Sequence, residues 1–388
     1  MINQSVKALF SAIVISVATA ACAYSQQPAG RFPEIETPSR VPDHFRGWRT
    51  NFDKTSIDLN EIMSGGPPKD GIPAIDKPKF VSVTEAYDWL SKNEPVISLR
   101  IDGEARAYPL QILIWHEIVN DEIAGKPVTV TFCPLCYTAI AFDRRLNDKV
   151  YSFGVSGMLR HSDMVMYDRE TESFWQQISG EAIVGEMNGK TLNQFPSQIV
   201  SFEQFAKAFP KGRVLSRDTG HSRDYGRNPY TGYDDIERTP FLFRGKPDNR
   251  LRPMEKVVAV NLGKSAKAYP YSITREQRVI HDEIGAEKAV IFHSEGAASA
   301  LDAVKISESK EAGTTGVFSR IVDGRSLTFK YSDGVFIDQE TQSHWNVFGE
   351  AISGELKGKT LRPLTHGDYF AFAWLVFRPE TEVYTIKN

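Results

Sequence analysis

Residues 167–175 read YDRETESFW, and residues 337–345 read IDQETQSHW. Working outward from this pair, ARAYP at residues 105–109 returns as AKAYP at residues 266–270. Shorter matches keep the same order in both stretches: DEI at 121–123 and 282–284, GEAI at 180–183 and 349–352, and GKTL at 189–192 and 358–361. Ordered similarity of this kind is typical of an internal repeat. The sequence therefore predicts two degenerate copies of one β-rich module.

Short β-type runs dominate each copy, because β-branched and aromatic residues are concentrated in them. Strands are predicted at residues 96–101, 128–132, 137–142 and 164–167, with a return strand at 173–175. Helices are predicted at residues 110–118, 202–209 and 369–377. Prolines at positions 210 and 379 end the last two helices. The predicted fold class is α+β with β-structure dominant.

The repeat divides the chain into five predicted regions. They are a signal peptide (1–23), an extended leader (24–68), the first module (69–217), a Tyr- and Gly-rich connecting loop (218–252) and a second, degenerate module (253–388). The connecting loop is rich in turn-forming residues, and it either covers a site as a lid or only joins the modules.

The N-terminus predicts export to the periplasm or the medium. Lys7 precedes a mostly apolar stretch at residues 8–21, which is too short to span a bilayer and is typical of a secretory signal. Cleavage at Ala21-Cys22-Ala23 would release a soluble protein. Residues 19–22 also form an incomplete lipobox, so the protein would attach to the membrane only if Cys22 is lipidated.

The composition argues against a nucleic-acid partner. The chain has 388 residues, of which 24% are charged, and its formal net charge is -3. Nucleic-acid binding normally requires a basic patch or run, and none stands out in the sequence. We therefore expect no nucleic acid among the partners of this protein.

The candidate site is Cys133-Pro134-Leu135-Cys136, which directly follows a predicted strand. In the second copy the sequence places Phe292-His293-Ser294-Glu295-Gly296 opposite residues 132–136, so both cysteines are lost there. The stretch from 154 to 163 is also shorter in the second copy. Residues present only in the first copy are candidates for function, and those kept in both are candidates for structure.

A metal site is the leading interpretation of the two cysteines. Two thiolates and an imidazole suit copper or zinc, with methionine as a weak additional copper ligand. His116 lies 17 residues before Cys133, a distance that one helix and one strand can fold back. His161 and Met158 are further candidate ligands. Only three ligands are easily proposed, which favours copper, or an open site, over a four-ligand structural zinc.

Two other interpretations remain open. In a thiol-disulfide oxidoreductase, Cys133 would attack and Cys136 would resolve, with Glu117 as a general acid or base. In a non-catalytic binding module, the pair would form a structural disulfide, which adds little stability because the loop is short. An exported protein of either the metal or the thiol type would have a periplasmic redox or metal-delivery partner.

The motifs also carry a family resemblance. Residues 107–109, 115–121, 130–136, 165–169 and 225–230 resemble the bacterial and archaeal family called domain of unknown function 3179. The resemblance covers residues 70–388 and implies that His116, Cys133 and Cys136 are family features. It implies no activity, because the function of the family is not established. Arg160-His161 departs from the pattern, which weakens His161 as a ligand of the family.

Overall fold

The structure is a computed structural model that describes residues 41–386. The predicted signal peptide, the lipidation of Cys22 and the first part of the leader therefore lie outside the described residues. The rest of the leader forms one strand and two short 3-10 helices, Asp43–Phe45 and Leu59–Glu61. Their side chains pack on the first module, where Phe45 is only 2% exposed. The strand was not expected from the sequence.

Strands are the main regular structure of the chain up to residue 217. They are β1 (Ile62–Ser64), β2 (Phe80–Ser82), β3 (Pro95–Ile101), β4 (Glu104–Pro109), β5 (Ile118–Ile123), β6 (Lys126–Cys133), β7 (Thr138–Asp143), β8 (Arg145–Leu146), β9 (Lys149–Val150), β10 (Phe153–Arg160), β11 (Asp163–Asp168), β12 (Phe174–Gln176), β13 (Glu181–Val184), β14 (Gln194–Phe195), β15 (Ser197–Ser201) and β16 (Arg213–Leu215). They form three main sheets, in the orders β1-β10-β11-β12-β13, β14-β7-β6-β5 and β15-β3-β4-β16-β2.

The second half of the chain is built in a similar way. Its strands are β17 (Lys256–Asn261), β18 (Ala266–Pro270), β19 (Val279–Ile284), β20 (Glu287–Ser294), β21 (Thr314–Ser319), β22 (Ile321–Val322), β23 (Arg325–Ser326), β24 (Phe329–Ser332), β25 (Val335–Asp338), β26 (His344–Trp345), β27 (Ala351–Ser353), β28 (His366–Phe370) and β29 (Glu382–Val383). The main sheets have the orders β28-β17-β18-β29, β19-β20-β21 and β24-β25-β26-β27.

Helices are few and short. They are α1 (Val83–Ala86), α2 (Leu110–His116), α3 (Phe202–Ala208), α4 (Tyr271–Gln277) and α5 (Ala371–Phe377), with a 3-10 helix at Ile306–Glu308. The α+β class with dominant β-structure is therefore confirmed. Ser201 begins α3 with a capping box, in which its hydroxyl and the Gln204 side chain satisfy each other's backbone amides. No helix within residues 41–386 is long and apolar enough to cross a membrane.

The two halves use the same side chains for the same local structures. The Asp168 carboxylate accepts hydrogen bonds from the Thr171 amide (2.6 Å) and from Trp175 Nε1 (2.9 Å). Asp338 accepts the equivalent bonds from Thr341 and Trp345 at the same two distances. A buried Asp and a turn Thr thus anchor the tryptophan in each half, as expected of residues kept for structure.

The register of the two hairpins corrects one residue-by-residue comparison. Ile118 of β5 pairs with Thr131, and Val279 of β19 pairs with Phe292. Phe292 therefore occupies the place of Thr131, not that of Phe132. His293 stands where Phe132 stands, and Ser294 stands where Cys133 stands. The sequence comparison of this stretch was wrong by one residue, because it matched Phe132 with Phe292 on their identity alone.

Both halves contribute to one continuous core around the cysteine pair. The core cluster that contains Cys133 and Cys136 also contains Val257, Phe370 and Trp374 from the second half. The Phe370 amide donates to the Cys136 carbonyl at 2.9 Å, so the start of α5 is fixed to the cysteine loop. The second half therefore closes one side of the candidate site.

Candidate metal centre

The β6–β7 hairpin brings the two cysteines together. Cys133 is the last residue of β6 and pairs with Thr138, so a four-residue loop separates the strands. The Cys136 amide donates to the Cys133 carbonyl at 3.3 Å, which tightens this loop. Both cysteines are free thiols, and they are only 1% and 0% exposed. The strand predicted after Cys136 is confirmed, and it excludes the helix that follows the cysteines in a thioredoxin-like site.

Asp163 completes a cluster with the two cysteines. One ligand atom each from Cys133, Cys136 and Asp163 lies within 4.8 Å of the other two. A tetrahedral ion with bonds of about 2.0–2.3 Å separates its ligand atoms by about 3.3–3.8 Å, so only a small adjustment is needed to close on an ion. The three side chains are therefore placed as a nearly formed three-ligand site.

A strained turn delivers Asp163 to the cysteines. The two residues between β10 and β11, His161 and Ser162, have φ values of +51° and +71°. Two-residue hairpin loops with positive φ strongly prefer Asn and Gly, and strain of this type clusters at functional sites. The hairpin of β24 and β25 turns instead on the usual pair, Asp333-Gly334. The Cys133 thiol donates to the Ser162 carbonyl at 3.9 Å, which ties this turn to the cysteine loop.

One oxygen of Asp163 is fixed and the other is left for a ligand. Oδ2 accepts hydrogen bonds from Gln176 Nε2 at 2.6 Å and from the Ile178 amide at 3.0 Å. Oδ1 is fully buried, and no N–H or O–H group of the described residues donates to it in good geometry, although the Met164 amide and the Cys136 thiol lie near the carboxylate. Gln176 and Ile178 thus orient the carboxylate through Oδ2, as the hydrogen-bond partners of metal ligands commonly do.

Further polar atoms around the cysteine hairpin also lack partners. Thr138, which pairs with Cys133, and Gln177, which donates to the Thr138 carbonyl at 3.2 Å, are both fully buried. Within the described part of the chain, Thr138 Oγ1 and Gln177 Oε1 have no hydrogen-bond partner. Buried polar groups in native proteins are nearly always satisfied, so these two oxygens are exceptions that the described residues alone leave unpaired.

The site collects acidic groups without a cation. Burial raises the pKa of Asp163 to about 7. Burial, and to a lesser degree the charge of Asp163, raises the pKa of Glu117 to about 8. Burial also raises the pKa of the Cys136 thiol, and the neighbouring Cys133 and Asp163 add to the shift. None of the salt bridges formed by the described residues includes Asp163 or Glu117.

Glu117 lies at the end of α2 with a φ of +58°. Arg278 ends α4 with a φ of +64°, so the strained backbone belongs to the shared architecture of the two halves. The side chain differs, since Glu117 is 8% exposed and is close enough to Asp163 for their charges to interact. Two of the three predicted catalytic residues, Cys133 and Cys136, therefore belong to the cluster itself. The third, Glu117, is near enough to Asp163 for a charge interaction.

The structure does not bring His116 to the cysteines. Its Nδ1 is 2.7 Å from the Pro73 carbonyl, and its Nε2 is 2.7 Å from the Tyr225 hydroxyl. Burial lowers the pKa of His116 to about 4, so the ring is neutral at pH 7. Both nitrogens are already engaged, and His116 holds the connecting loop instead of facing the sulfur atoms.

His161 and Met158 also lie outside the cluster. His161 Nδ1 is 3.2 Å from the Arg244 carbonyl, and its Nε2 is 3.4 Å from a Glu61 oxygen. Met158 packs with Phe45 and other residues of a separate hydrophobic cluster that contains neither cysteine. Neither side chain is placed as a ligand in this conformation.

The connecting loop covers the cluster. Tyr233 donates its hydroxyl hydrogen to the Leu135 carbonyl at 3.2 Å and accepts from the Phe241 amide at 3.1 Å. The Ser162 hydroxyl donates to the Phe241 carbonyl. Of the two loop functions considered from the sequence, covering a site and joining the modules, the structure shows both.

Sequence reasoning missed Asp163, although a signal was present. Asp163 ends the stretch from 154 to 163 that the second half shortens, and β10 and β11 extend further than β24 and β25 as a result. The sequence analysis proposed His161 and Met158 of that stretch as candidate copper ligands. The aspartate at its end was the residue that reached the cysteines.

Comparisons with known proteins agree with the resemblance found in the motifs. No curated protein and no solved structure matches the chain. The family described as "Protein of unknown function (DUF3179)" matches residues 69–381, which include both halves and the whole cysteine–aspartate cluster. The chain belongs to this family.

Proposed function

We propose that the protein binds one transition-metal ion through Cys133, Cys136 and Asp163. The observation that carries this proposal is the fully buried Asp163 Oδ1, to which no N–H or O–H group within residues 41–386 donates in good geometry and which lies beside two free thiols, that of Cys136 being near enough to interact with the carboxylate. A structural disulfide would leave this oxygen unexplained. A bound ion gives the oxygen a partner.

Electrostatics support a cation at this position. Several acidic groups with pKa values raised by burial share the region, and no Lys, Arg or His pairs with Asp163 in the described part of the chain. Burying a carboxylate without a partner is costly, because water no longer solvates its charge. A divalent ion offsets this cost and binds the thiols as thiolates.

The ligand set favours zinc over copper. The sequence alone favoured copper because histidine and methionine were the expected companions of the cysteines. A carboxylate is a harder ligand that Zn²⁺ accepts readily together with thiolates, whereas Cu⁺ selects soft thiolate and thioether ligands. Three protein ligands leave a fourth position on a tetrahedral ion. Glu117 interacts with Asp163 through its charge, and its pKa of about 8 makes it a proton donor at neutral pH.

A thiol-disulfide oxidoreductase is less well supported. The attacking group in such enzymes is a thiolate, and its pKa is normally lowered by a helix N-terminus or by nearby cations. Here the cysteines lie in a β-hairpin, both are buried, and the pKa of Cys136 is raised. The covered site therefore fits retention of a metal better than rapid thiol exchange with a partner.

Export completes the proposal. The N-terminal sequence predicts a periplasmic or secreted protein. In that oxidising compartment, an ion that binds before Cys133 and Cys136 form a disulfide would keep both cysteines reduced. A metal-delivery partner in that compartment would have to displace the connecting loop, because Tyr233 and Phe241 cover the approach.

The test is the metal content of protein purified with its disulfides and thiols preserved. We expect about one zinc ion per chain in the wild type and loss of zinc in Cys133→Ser and Asp163→Asn. Ser294→Ala, at the position of the second half that matches Cys133, is the control and should retain the metal. Metal-free wild type with Cys133 and Cys136 recovered as a disulfide would contradict the proposal.

A further inference from the structure

A cleft of about 330 Å³ lies where the start of β17, helix α4 and the connecting loop meet. Lys256, the first residue of β17, lines it together with Tyr271 and Arg275 of α4 and Asp234 of the connecting loop. The volume falls in the range of about 300–1,000 Å³ that is typical of small-molecule pockets. None of the three proposed metal ligands lines this cleft, so it is a separate place in the molecule.

The amine of Lys256 has no polar partner and is open to the cleft. Its Nζ lies 3.8 Å from the centre of the Tyr137 ring and makes no hydrogen bond or ion pair with any other residue between 41 and 386. Lys256 is partly exposed, and Nζ does not belong to the fully buried side-chain atoms that lack a partner. Since Nζ has no partner and is not fully buried, water reaches it, and a ligand in the cleft can do the same.

A second lysine at the same cleft is held very differently. Lys310 Nζ lies 3.0 Å from a carboxylate oxygen of Asp234 and 3.3 Å from one of Asp302. Burial lowers the pKa of Lys310, but the two carboxylates raise it by more, so its pKa lies above the usual value. Lys310 is therefore a charged partner of these carboxylates, and it provides an internal comparison for Lys256.

The chemistry of Lys256 differs from that of an ordinary lysine. Burial lowers its pKa from 10.5 to about 8. The nearby cations of Lys310 and Arg275 add to the lowering, and the carboxylates of Asp234 and Asp368 oppose it. At pH 8 about half of the Lys256 amines are then neutral, compared with about 0.3% for an amine of pKa 10.5. Only the neutral amine is a nucleophile, and lysines desolvated in this way form imines with carbonyl compounds.

The architecture that the two halves share does not require a lysine at this position. Val257 of β17 and Val96 of β3 each pair with the proline that precedes a helix, so they are equivalent. Lys256 therefore stands where the first half has Pro95. The amine is a feature of the second half alone, as the cysteine pair is of the first.

The charges around the cleft favour a neutral ligand. Carboxylate side chains outnumber cationic side chains among the lining residues by four to three; the carboxylates belong to Asp234, Asp235, Glu255 and Glu311. An anionic ligand would meet this excess of negative charge. Ile236, Met254 and Ala312 add apolar surface for the body of a small organic molecule.

We propose that Lys256 forms an imine with a small neutral aldehyde or ketone that binds in this cleft. The lone pair of the neutral amine adds to the carbonyl carbon and gives a carbinolamine. The carbinolamine then loses water, which contains the carbonyl oxygen and the two hydrogens that the amine gives up. A C=N bond replaces the C=O bond, so no oxidant or reductant takes part. The proposal does not depend on the metal site.

Reductive trapping with butanal and cyanoborohydride tests the proposal on the full chain. The reductant converts an imine to a stable secondary amine, and peptide mapping by mass spectrometry then gives the rate of labelling at each lysine. We expect Lys256 to be labelled at least about tenfold faster than Lys310 at pH 8, because more of its amine is neutral. Accessibility alone predicts the opposite order, since the Lys310 side chain is 51% exposed. The rate at Lys256 should level off above about pH 8, whereas the rate at Lys310 should continue to rise.

Variants separate binding in the cleft from the reactivity of an amine alone. Ser272→Trp places a large side chain at an exposed residue that lines the cleft, and it should slow the labelling of Lys256 about tenfold. Ser91→Trp is the matched control, because Ser91 is also exposed and does not line the cleft. Lys256→Arg keeps a cation over Tyr137 but cannot form the imine, so the fast phase of labelling of the whole protein should disappear.

The outcomes decide the proposal in either direction. Fast labelling of Lys256 that Ser272→Trp slows and Ser91→Trp does not supports it. Labelling of Lys256 that is no faster than that of Lys310 would overturn it, and would leave the lysine as a cation that only packs on Tyr137. Fast labelling that Ser272→Trp leaves unchanged would also overturn it, because the cleft would then play no part.

Discussion

Replacing Asp163 by asparagine should have opposite effects on the metal-free and the metal-bound protein. In the metal-free chain Asp163 is a fully buried carboxylate without a cation, so the neutral amide should stabilise the fold. Asparagine keeps an oxygen that accepts from Gln176, and it places an NH₂ group where the metal ligand would be. The variant should therefore lose the stabilisation that zinc gives to the wild type.

The size of the first effect follows from the pKa of Asp163. Burial raises it from 3.8 to about 7, so the folded state keeps its proton over a range in which the unfolded state has lost it. The free energy of unfolding of the wild type therefore falls as the pH rises from about 3.8 to about 7 and stays lowered above that range. The difference between these two pKa values corresponds to about 4 kcal/mol. Asp163→Asn should recover most of this at pH 8 and nothing at pH 3.5.

The size of the second effect follows from linkage. Free zinc at a concentration 100 times its Kd should add about 2.7 kcal/mol to the free energy of unfolding of the wild type. Asp163→Asn should gain much less from the same zinc concentration. The gain of the variant in the metal-free state and its loss in the zinc-bound state together distinguish a ligand from a residue that only supports the fold.

Urea unfolding followed by tryptophan fluorescence measures both effects. Samples would be compared with a chelator and a thiol reductant at pH 3.5 and pH 8, and with zinc at pH 8. Asp333→Asn, in the exposed turn between β24 and β25, is the matched control and should change little under any condition. A metal-free Asp163→Asn that is less stable than the wild type at pH 8, or equal stabilisation of both by zinc, would refute the reasoning.

Three further predictions concern other contacts. Burial lowers the pKa of His293 to about 3. Below about pH 6.5 the unfolded chain therefore binds a proton that the folded chain does not bind, and the free energy of unfolding falls towards acid. In urea unfolding, His293→Phe should reduce the loss between pH 8 and pH 5 by about 2 kcal/mol. Tyr233→Phe removes two hydrogen bonds over the site and should speed zinc release to a chelator about tenfold in stopped flow, without changing the number of zinc ions bound. Asp168→Ala and Asp338→Ala should each lower the free energy of unfolding by about 2–4 kcal/mol, because each leaves a tryptophan N–H and a turn amide without an acceptor. A loss of stability in only one of the two variants would contradict their shared role.

Local patterns predicted the elements next to the site well. The apolar and β-branched run before Cys133 is strand β6, and the run after Cys136 is strand β7. The predicted helix at 110–118 is α2, which ends at His116. These elements depend mainly on residues near one another in sequence, so periodicity and proline positions contain enough information to place them.

The identity of the third ligand could not be predicted in the same way. A single aspartate at the start of a strand carries no spacing signal, and its position depends on the tertiary packing of one hairpin on another. His116 was the natural companion by sequence distance, but residues far away in the chain, Pro73 and Tyr225, occupy both of its nitrogens. The leader strand β1 was missed for a related reason, since three residues form it only by pairing with β10.

The most direct test of the metal site is X-ray absorption at the zinc edge of the purified protein. The structure predicts two sulfur neighbours at about 2.3 Å and oxygen neighbours at about 2.0–2.2 Å, with the oxygen contribution altered in Asp163→Asn. A spectrum with imidazole scattering, or one without sulfur, would contradict a site made of Cys133, Cys136 and Asp163.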